Sequence, residues 1–267
     1  MSDGRWQPTL FIRATILLHV VALLSVFAWP GRWQWPLAAV LVNHLLLAAI
    51  GLWPRSHWLG PNWTRLPAAA TARGEIALTI DDGPDPVVTP KVLDLLDRHA
   101  ARATFFCVGE KAQRYPDLCR EIVRRGHAVE NHSQHHLHHF SLMGPGAMTR
   151  ELQAAQDTFT AITGQRPLFF RAPAGLRNPF LDPVLRRLGL TLASWSVRGF
   201  DTRVGDAARV ETSLMRGLRA GAILLLHDGN SASTPSGQAV ILEVLPALLE
   251  SAASARLRWV TLRHALS

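Results

Sequence analysis

Lysine is almost missing from this 267-residue chain. Lys91 and Lys111 are the only two among 28 basic residues. The net charge of +8 is therefore carried by arginine, whose planar donor fork suits phosphates and anionic head groups. No arginine run, zinc-finger spacing or aromatic-basic ribonucleoprotein motif accompanies it. Nucleic acid is thus not an expected partner, and the charge reads first as a solvated basic surface. Cysteine is scarce as well. Cys107 and Cys119 make no disulfide framework, and nothing in the pattern calls for a bridge between them. Cys107, inside the run ATFFCVG, is expected as a small buried hydrophobe. No internal repeat is visible.

Charge is absent from two stretches near the N-terminus, residues 14–30 and 35–53, although the second carries Asn43 and His44 at its middle. Each approaches the ~20 residues that a helix needs to cross a bilayer. Pro30 and Gly31 break the chain between them, and Trp29, Trp33, Trp35, Trp53 and Trp58 gather at the ends as an interfacial belt would. The competing readings are a signal peptide and a buried soluble hairpin. The first suits AWPGRWQW poorly, since a cleavage site needs small residues. Arg5 and Arg13 precede the first stretch, Arg32 lies in the turn, and Arg55, Arg65 and Arg73 follow the second. The positive-inside rule then predicts a multi-pass anchor over 1–58 in a bacterial-type inner (plasma) membrane, with both termini cytoplasmic. A cytoplasmic location for the rest of the chain agrees with two unpaired thiols.

Residues 59–74 carry Pro, Gly and Ala without apolar periodicity and read as a linker, leaving 75–267 as the soluble domain. Strand-like runs fall at 75–80, 103–108, 127–130, 168–171, 190–197, 222–227 and 257–262. Helix-like stretches separate them at 89–100, 116–125, 147–162, 179–188, 207–219 and 238–252. Seven strands with helical crossovers predict a parallel, barrel-like α/β domain. The segment DGNSASTPSGQ, 228–238, reads as a mobile surface loop.

In such a domain, chemistry collects at the C-terminal ends of the strands. The first strand ends in Asp81-Asp82, and the third in NHSQHHLHHF, where five of residues 132–139 are histidine. If that stretch turns into a helix, His132 and His136 share one face, and so do His135 and His139. Two neutral imidazoles and a carboxylate make a common facial site for a divalent metal. The alternative is a solvated polar loop.

In order along the chain stand Asp81-Asp82-Gly83-Pro84, His132-Ser133-x-x-His136, Arg171-x-Pro173, Trp195 with Asp201, and Leu225-x-His227. This order resembles the five motifs of the NodB-homology polysaccharide deacetylases, carbohydrate esterase family 4, across residues 75–265. The first two motifs are specific together; the last three persuade only in order. The resemblance implies a distorted (β/α)7 barrel. It implies Asp82, His132 and His136 as ligands of a divalent ion, Zn2+ or another first-row metal. It also implies Asp81 as general base, Arg171 as the residue holding that base, and His227 as general acid. Asp201 would orient the Arg171 or the His227 side. Ala174 would give a backbone oxyanion donor, and Leu225 would line the acyl pocket. Without the resemblance, Asp81 and Asp201 read as turn or loop aspartates, Arg171 as a surface ion pair, His227 as a core histidine and Trp195 as packing.

Three positions depart from the family's pattern. Ala174 replaces an aromatic residue, Leu137 a proline, and Arg198 an aspartate. A wider subsite and a basic Arg198 suit a phosphate-bearing or lipid-linked glycan. The expected activity is metal-dependent removal of N-acetyl groups from N-acetylated amino sugars of a glycan. The alternatives are a deacetylase or deformylase of a polyprenyl-linked sugar at the inner leaflet, and a catalytically inactive, membrane-tethered glycan-binding module. A membrane peptidase is disfavoured because no His-Glu-x-x-His helix is present.

Overall fold

The computed structural model describes residues 6–267. Arg5, counted above among the flanking charges, lies outside the described residues. Two uncharged stretches become helices α1 (Leu10–Ala28) and α2 (Gln34–Gly51), each starting a little earlier than the hydropathy suggested. Thr9 sets the first start, its hydroxyl accepting from the Ile12 N–H at 3.3 Å. A short 3-10 turn, Pro30–Arg32, joins the two. Both helices are long and apolar enough to cross a membrane, with mean hydropathies of 2.3 and 1.4, and only 11% of each apolar window is buried.

The ends of this hairpin are fastened to the rest of the chain. The Trp6 indole donates to Asp182 at 2.9 Å, and the Thr9 hydroxyl donates to the Trp58 carbonyl at 2.6 Å. At the other end, the Arg177 N–H donates to the Gly51 carbonyl at 3.2 Å. Gly51 admits nothing larger, since a Cβ there would stand 2.3 Å from the Arg177 carbonyl oxygen.

Residues 59–74, expected as a linker, are packed instead. They hold α3 (Ala68–Ala72), and Leu66 and Ala70 are buried against Phe106, Phe169 and Ile223 of the sheet. The Leu66 N–H donates to the Gly221 carbonyl and the Trp63 N–H to that of Leu192, both at 2.9 Å. The alanines gave no periodic signal because only two or three apolar side chains are needed to close this short cover.

The sheet is parallel and mostly buried on both faces, which is why β1 (Glu75–Asp81) reads as a nearly unbroken apolar run. It is followed by α4 (Val88–Arg98), β2 (Ala103–Cys107), α5 (Gly109–Arg114), α6 (Pro116–Arg124) and β3 (Ala128–Asn131). Next come α7 (Pro145–Thr163), β4 (Phe169–Phe170), α8 (Leu181–Leu188), β5 (Thr191–Leu192) and β6 (Val197–Arg198). Then α9 (Ala207–Met215), β7 (Ile223–His227), α10 (Val240–Ser254) and β8 (Arg258–Trp259) complete the fold. The order across the sheet is β5-β4-β3-β2-β1-β7-β6, with β8 pairing the start of β1. The seven expected strands are found, and the fifth is divided. Residues 193–196 lie outside both β5 and β6, and Trp63 pairs with Ala193 at the break. The result is a distorted, incompletely closed barrel. Helices α4, α6, α9 and α10 cover its outer face with Val92, Leu96, Ile122, Leu214 and Leu245, all buried. Cys107 and Cys119 are buried and unbridged.

Candidate active site

The sheet register does the first part of the assembly. Asp81, the last residue of β1, pairs with His227, the last of β7. On the other side β2 pairs Cys107 with Asn131, and Asn131 pairs with Phe170. His132 and Arg171 are each one residue past those partners. Four polar side chains thus stand at adjacent strand ends around one mouth.

Successive strand residues point opposite ways, so Asp81 and Asp82 would not share a mouth if β1 continued. It stops at Asp81. Asp82 takes a left-handed φ of 70°, and the Lys111 ammonium donates to its carbonyl at 2.7 Å. Gly229 lets the chain pass here, since a Cβ on it would lie 1.9 Å from that carbonyl oxygen. Asp85, past the turn, accepts the Val87 and Val88 N–H groups at 2.8 Å and so caps the entry to α4.

His132 and His136 come together as expected, but not along a helix face. The backbone turns through Ser133 (φ 69°) and His136 (φ 50°), with the Ser133 hydroxyl accepting the His136 N–H at 3.0 Å. Their Nε2 atoms lie 3.2 and 3.1 Å from one oxygen, Asp82 Oδ1. His132 Nδ1 lies 2.8 Å from the Arg171 carbonyl, which fixes the tautomer that leaves Nε2 with its lone pair. Asp82 Oδ1 is buried without a hydrogen-bond donor, while Asn230 donates to Oδ2 at 2.8 Å. Burial opposes the charge on Asp82, but proton-bearing His132 and His136 hold its carboxyl far below the usual range, and a cation in place of those protons acts in the same sense. Three ligand atoms within 4.8 Å of one another, with an orphaned carboxylate oxygen among them, fit a divalent cation. The other expected histidine pair does not form. His135 turns away to Glu151, at 2.9 Å, because its backbone N–H is held by the same carboxylate.

Asp81 sits beside this cluster without joining it, its Oδ2 being 3.9 Å from His132 Nε2. Its Oδ1 accepts from Arg171 Nη1 at 2.6 Å. Arg171 is 1% exposed and uses its whole fork: to Asp81 and Thr79 through Nη1, to the Ala193 carbonyl through Nε, and to the Ser194 carbonyl through Nη2. Its guanidinium stacks 4.2 Å from the Phe106 ring centroid. Arg171 is therefore an internal strut, not a surface ion pair. It also closes the broken stretch between β5 and β6.

Of the two tasks the resemblance left open for Asp201, the geometry favours the His227 side. Asp201 is wholly buried; its Oδ1 is 3.0 Å from His227 Nδ1, and its Oδ2 accepts the His227 N–H at 2.7 Å. Burial pulls the His227 imidazole down, yet the bond to Asp201 and the charges of Asp201, Asp81 and Asp82 outweigh it and push the group up to about 9. Ala174 has a left-handed φ of 54° in the turn after Pro173, and Leu225 lies on β7 two residues before His227. All of these except Arg171 and the buried Asp201 line one cavity of about 420 Å³, together with Trp195, Arg198, Phe200 and Asn230.

Residues 68–193 match the family model for polysaccharide deacetylases. A chitooligosaccharide deacetylase from Azorhizobium caulinodans is 37% identical over 161 residues, or 59% of this chain and 75% of that protein. This chain belongs to the polysaccharide deacetylase family. A peptidoglycan-N-acetylglucosamine deacetylase from Bacillus cereus is 33% identical over 175 residues, 65% of this chain and 81% of its own. The crystal structure of a peptidoglycan N-acetylglucosamine deacetylase is similar at a TM-score of 0.69 and 26% identity, across 76% of this chain and 92% of that one. The deacetylase is accordingly a hydrolase of amide carbon–nitrogen bonds outside peptides.

Three supporting residues of this deacetylase escaped the sequence reading. Asn230 comes from the 228–238 segment that reads as a mere surface loop. Lys111 holds the Asp82 carbonyl. Asp228, wholly buried beside His227, accepts the Thr89 hydroxyl, and burial pushes its carboxyl up to about 7. The acidic residue in LLLHDG was in plain view; the other two carry no local signal.

Proposed function

We propose that the chain is a membrane-anchored, divalent-metal-dependent deacetylase that removes N-acetyl groups from N-acetylated amino sugars of a glycan. The observation that carries this reading is the convergence of Asp82, His132 and His136 in one cavity with an arginine-held Asp81 and an aspartate-held His227. A catalytically inactive glycan-binding module has no need of all five.

Asp82, His132 and His136 would hold the ion, Zn2+ being well suited to two imidazoles and a carboxylate. When bound, it supplies Lewis-acid polarisation of the acetyl carbonyl and lowers the pKa of water. Asp81, oriented by its bond to Arg171, takes the proton of the attacking water. The Ala174 N–H serves the oxyanion that develops on the carbonyl oxygen. Leu225 packs against the acetyl methyl. His227 gives its proton to the departing nitrogen as the carbon–nitrogen bond breaks, so the products are acetate and a free amino sugar. Asp201 is a positioning residue that keeps Nδ1–H of His227 bonded and its ring charged. Incubation with N-acetylated chitooligosaccharides should yield acetate and free amine in equal amounts; amine-free turnover would contradict the reading.

His227 must be protonated to act, so activity falls as pH rises through its pKa. Removing the Asp201 charge lowers that pKa. Asp201→Asn should cut kcat/KM by roughly 100- to 10,000-fold and move the alkaline limb of the pH profile to lower pH. A fall in rate with an unmoved limb would show that Asp201 only supports the fold.

In this reading α1 and α2 span a bacterial-type plasma membrane, with the catalytic domain cytoplasmic. The support is their exposed apolar surface and the fastening of both outer ends to the domain, which puts those ends on one side. A C-terminal green fluorescent protein fusion should fluoresce and an alkaline phosphatase fusion should be silent. The reverse pair of results overturns the cytoplasmic placement.

A further inference from the structure

We infer that the catalytic cavity continues into an arginine-lined subsite for a phosphate, and that the substrate is an N-acetylated sugar carried on a phosphate-linked membrane lipid. This inference rests on the deacetylase reading above and specifies its substrate class.

A second cavity, of about 370 Å³, adjoins the first. Trp195, Arg198 and Phe200 line both, and Trp53, Pro54 and Arg55 complete the second. Arg198 is clamped by rings, its guanidinium 4.2 Å from the Phe200 centroid and 5.4 Å from that of Trp195. Its Nε is buried and lacks a hydrogen-bond acceptor. Nη1 of Arg55 donates to the Ser196 carbonyl at 3.1 Å, which ties this exposed side chain to the chain two residues before Arg198. Neither arginine has a carboxylate partner among the described residues, and Asp201, whose charge acts on Arg198, is committed to His227.

Some arginines elsewhere have acid partners: Arg73 and Arg258 share Glu75, Arg125 meets Asp94 and Asp97, and Arg263 meets Glu130. Others lack them too. What singles out Arg198 and Arg55 is their place on the wall of the catalytic cavity and its extension, with the Arg198 Nε buried there. Cations left without acid partners at the wall of a catalytic cavity call for an anionic ligand. Arginine forks recognise phosphate oxygens through paired donors. A neutral sugar oxygen could accept from the Arg198 Nε but would leave the guanidinium without a counter-charge, which a phosphate supplies together with paired acceptors.

The position of Arg55 argues for a lipid as the source of the phosphate. It stands four residues beyond the last residue of α2, after the exposed Leu52 and Trp53 and the intervening Pro54. That junction is packed against the domain. Gly51 is pressed against Arg177, and the Pro54 carbonyl accepts from Ser194 Oγ at 2.8 Å and Asn62 Nδ2 at 2.9 Å. A Cβ on Gly175 would lie 2.7 Å from Pro54 and 2.6 Å from Trp195, so the hairpin end packs on the loop that carries Ala174. The apolar helices therefore leave their domain-side end at the rim of the catalytic mouth. A lipid phosphate rests at the same depth as interfacial tryptophans and arginines. Its apolar chain can lie along the exposed face of α2 while the sugar enters the cavity.

The test compares three substrates with the full chain in detergent micelles: polyprenyl-phosphoryl N-acetylglucosamine, a nucleotide-diphospho-N-acetylglucosamine, and chitotetraose. Acetate release should favour the lipid-linked sugar by about tenfold or more in kcat/KM, and Arg55→Gln or Arg198→Gln should shrink that preference by about tenfold. Arg198→Lys, which keeps the charge but not the fork, should fall between. With the metal stripped, so that no turnover intervenes, the same variants should weaken binding of the lipid-linked sugar by a similar factor. Arg55 is exposed, so its substitution tests the subsite without touching the core. Equal or better use of the nucleotide sugar overturns the lipid source, and preference for chitotetraose overturns the subsite. Both outcomes leave the deacetylase reading standing. No acetate from any of the three overturns that reading instead.

Discussion

Asp81→Asn should keep its metal and lose turnover, whereas Asp82→Ala should lose both. The two carboxylates are adjacent in sequence, but the cavity separates their tasks. Asp82 Oδ1 lies 3.2 and 3.1 Å from the two imidazole Nε2 atoms and has no hydrogen-bond donor of its own. Asp81 is 3.9 Å from His132 Nε2 and is bound to Arg171 at 2.6 Å. Asparagine in place of Asp81 preserves shape and can still meet Arg171, but it cannot accept a proton. Loss of a general base costs roughly 100- to 10,000-fold in rate. Removing Asp82 instead leaves two imidazoles, too few donors for a closed set of protein ligands. Metal content per chain after gel filtration, read beside acetate release, separates the two. Equal metal retention in both variants would sink this division of labour.

Arg171→Met should destabilise the protein by about 3–5 kcal/mol, the range for breaking a buried ion pair by removing one partner. The reason is specific to this strut. The variant leaves the Asp81 carboxylate buried without its cation. It also orphans the Ala193 and Ser194 carbonyls, and it leaves Thr79 Oγ1 with only the bond it donates to the Leu224 carbonyl. Those two carbonyls lie in the interruption between β5 and β6, where the sheet itself supplies few bonds. Activity should fall with stability, since Asp81 loses both orientation and charge partner. Arg171→Lys keeps the charge without the fork and should recover part of the stability and less of the rate. Urea titration of the detergent-solubilised protein reads the first effect. An unfolding midpoint unchanged in Arg171→Met would show that the strut carries no load.

Much of the fold was legible because parallel strands buried on both faces leave unbroken apolar runs, and because covering helices leave periodic ones. EIALTID and ILLLH are of the first kind, and α4 and α10 of the second. The site was legible for a related reason. Asp81, Asp82, His132, Arg171 and His227 are polar groups at the ends of those apolar runs, where solvation alone does not explain them. What could not be read are features set by backbone torsions or distant partners. The approach of His136 to His132 depends on positive φ at Ser133 and His136, which alternation rules do not anticipate. The break at Ser194-Trp195-Ser196 depends on Trp63 pairing from 130 residues upstream. Burial of Leu66 and Ala70 is decided by the sheet they cover, not by their neighbours. Asn230 reaches Asp82 across 148 residues, from a stretch whose composition says only loop.

The measurement that bears most directly on the central claim is acetate release from an N-acetylated glycan by chelator-treated protein, before and after titration with zinc. The account predicts no release without metal, and release that rises with added zinc and saturates near one ion per chain. Undiminished release after complete removal of the metal would contradict it.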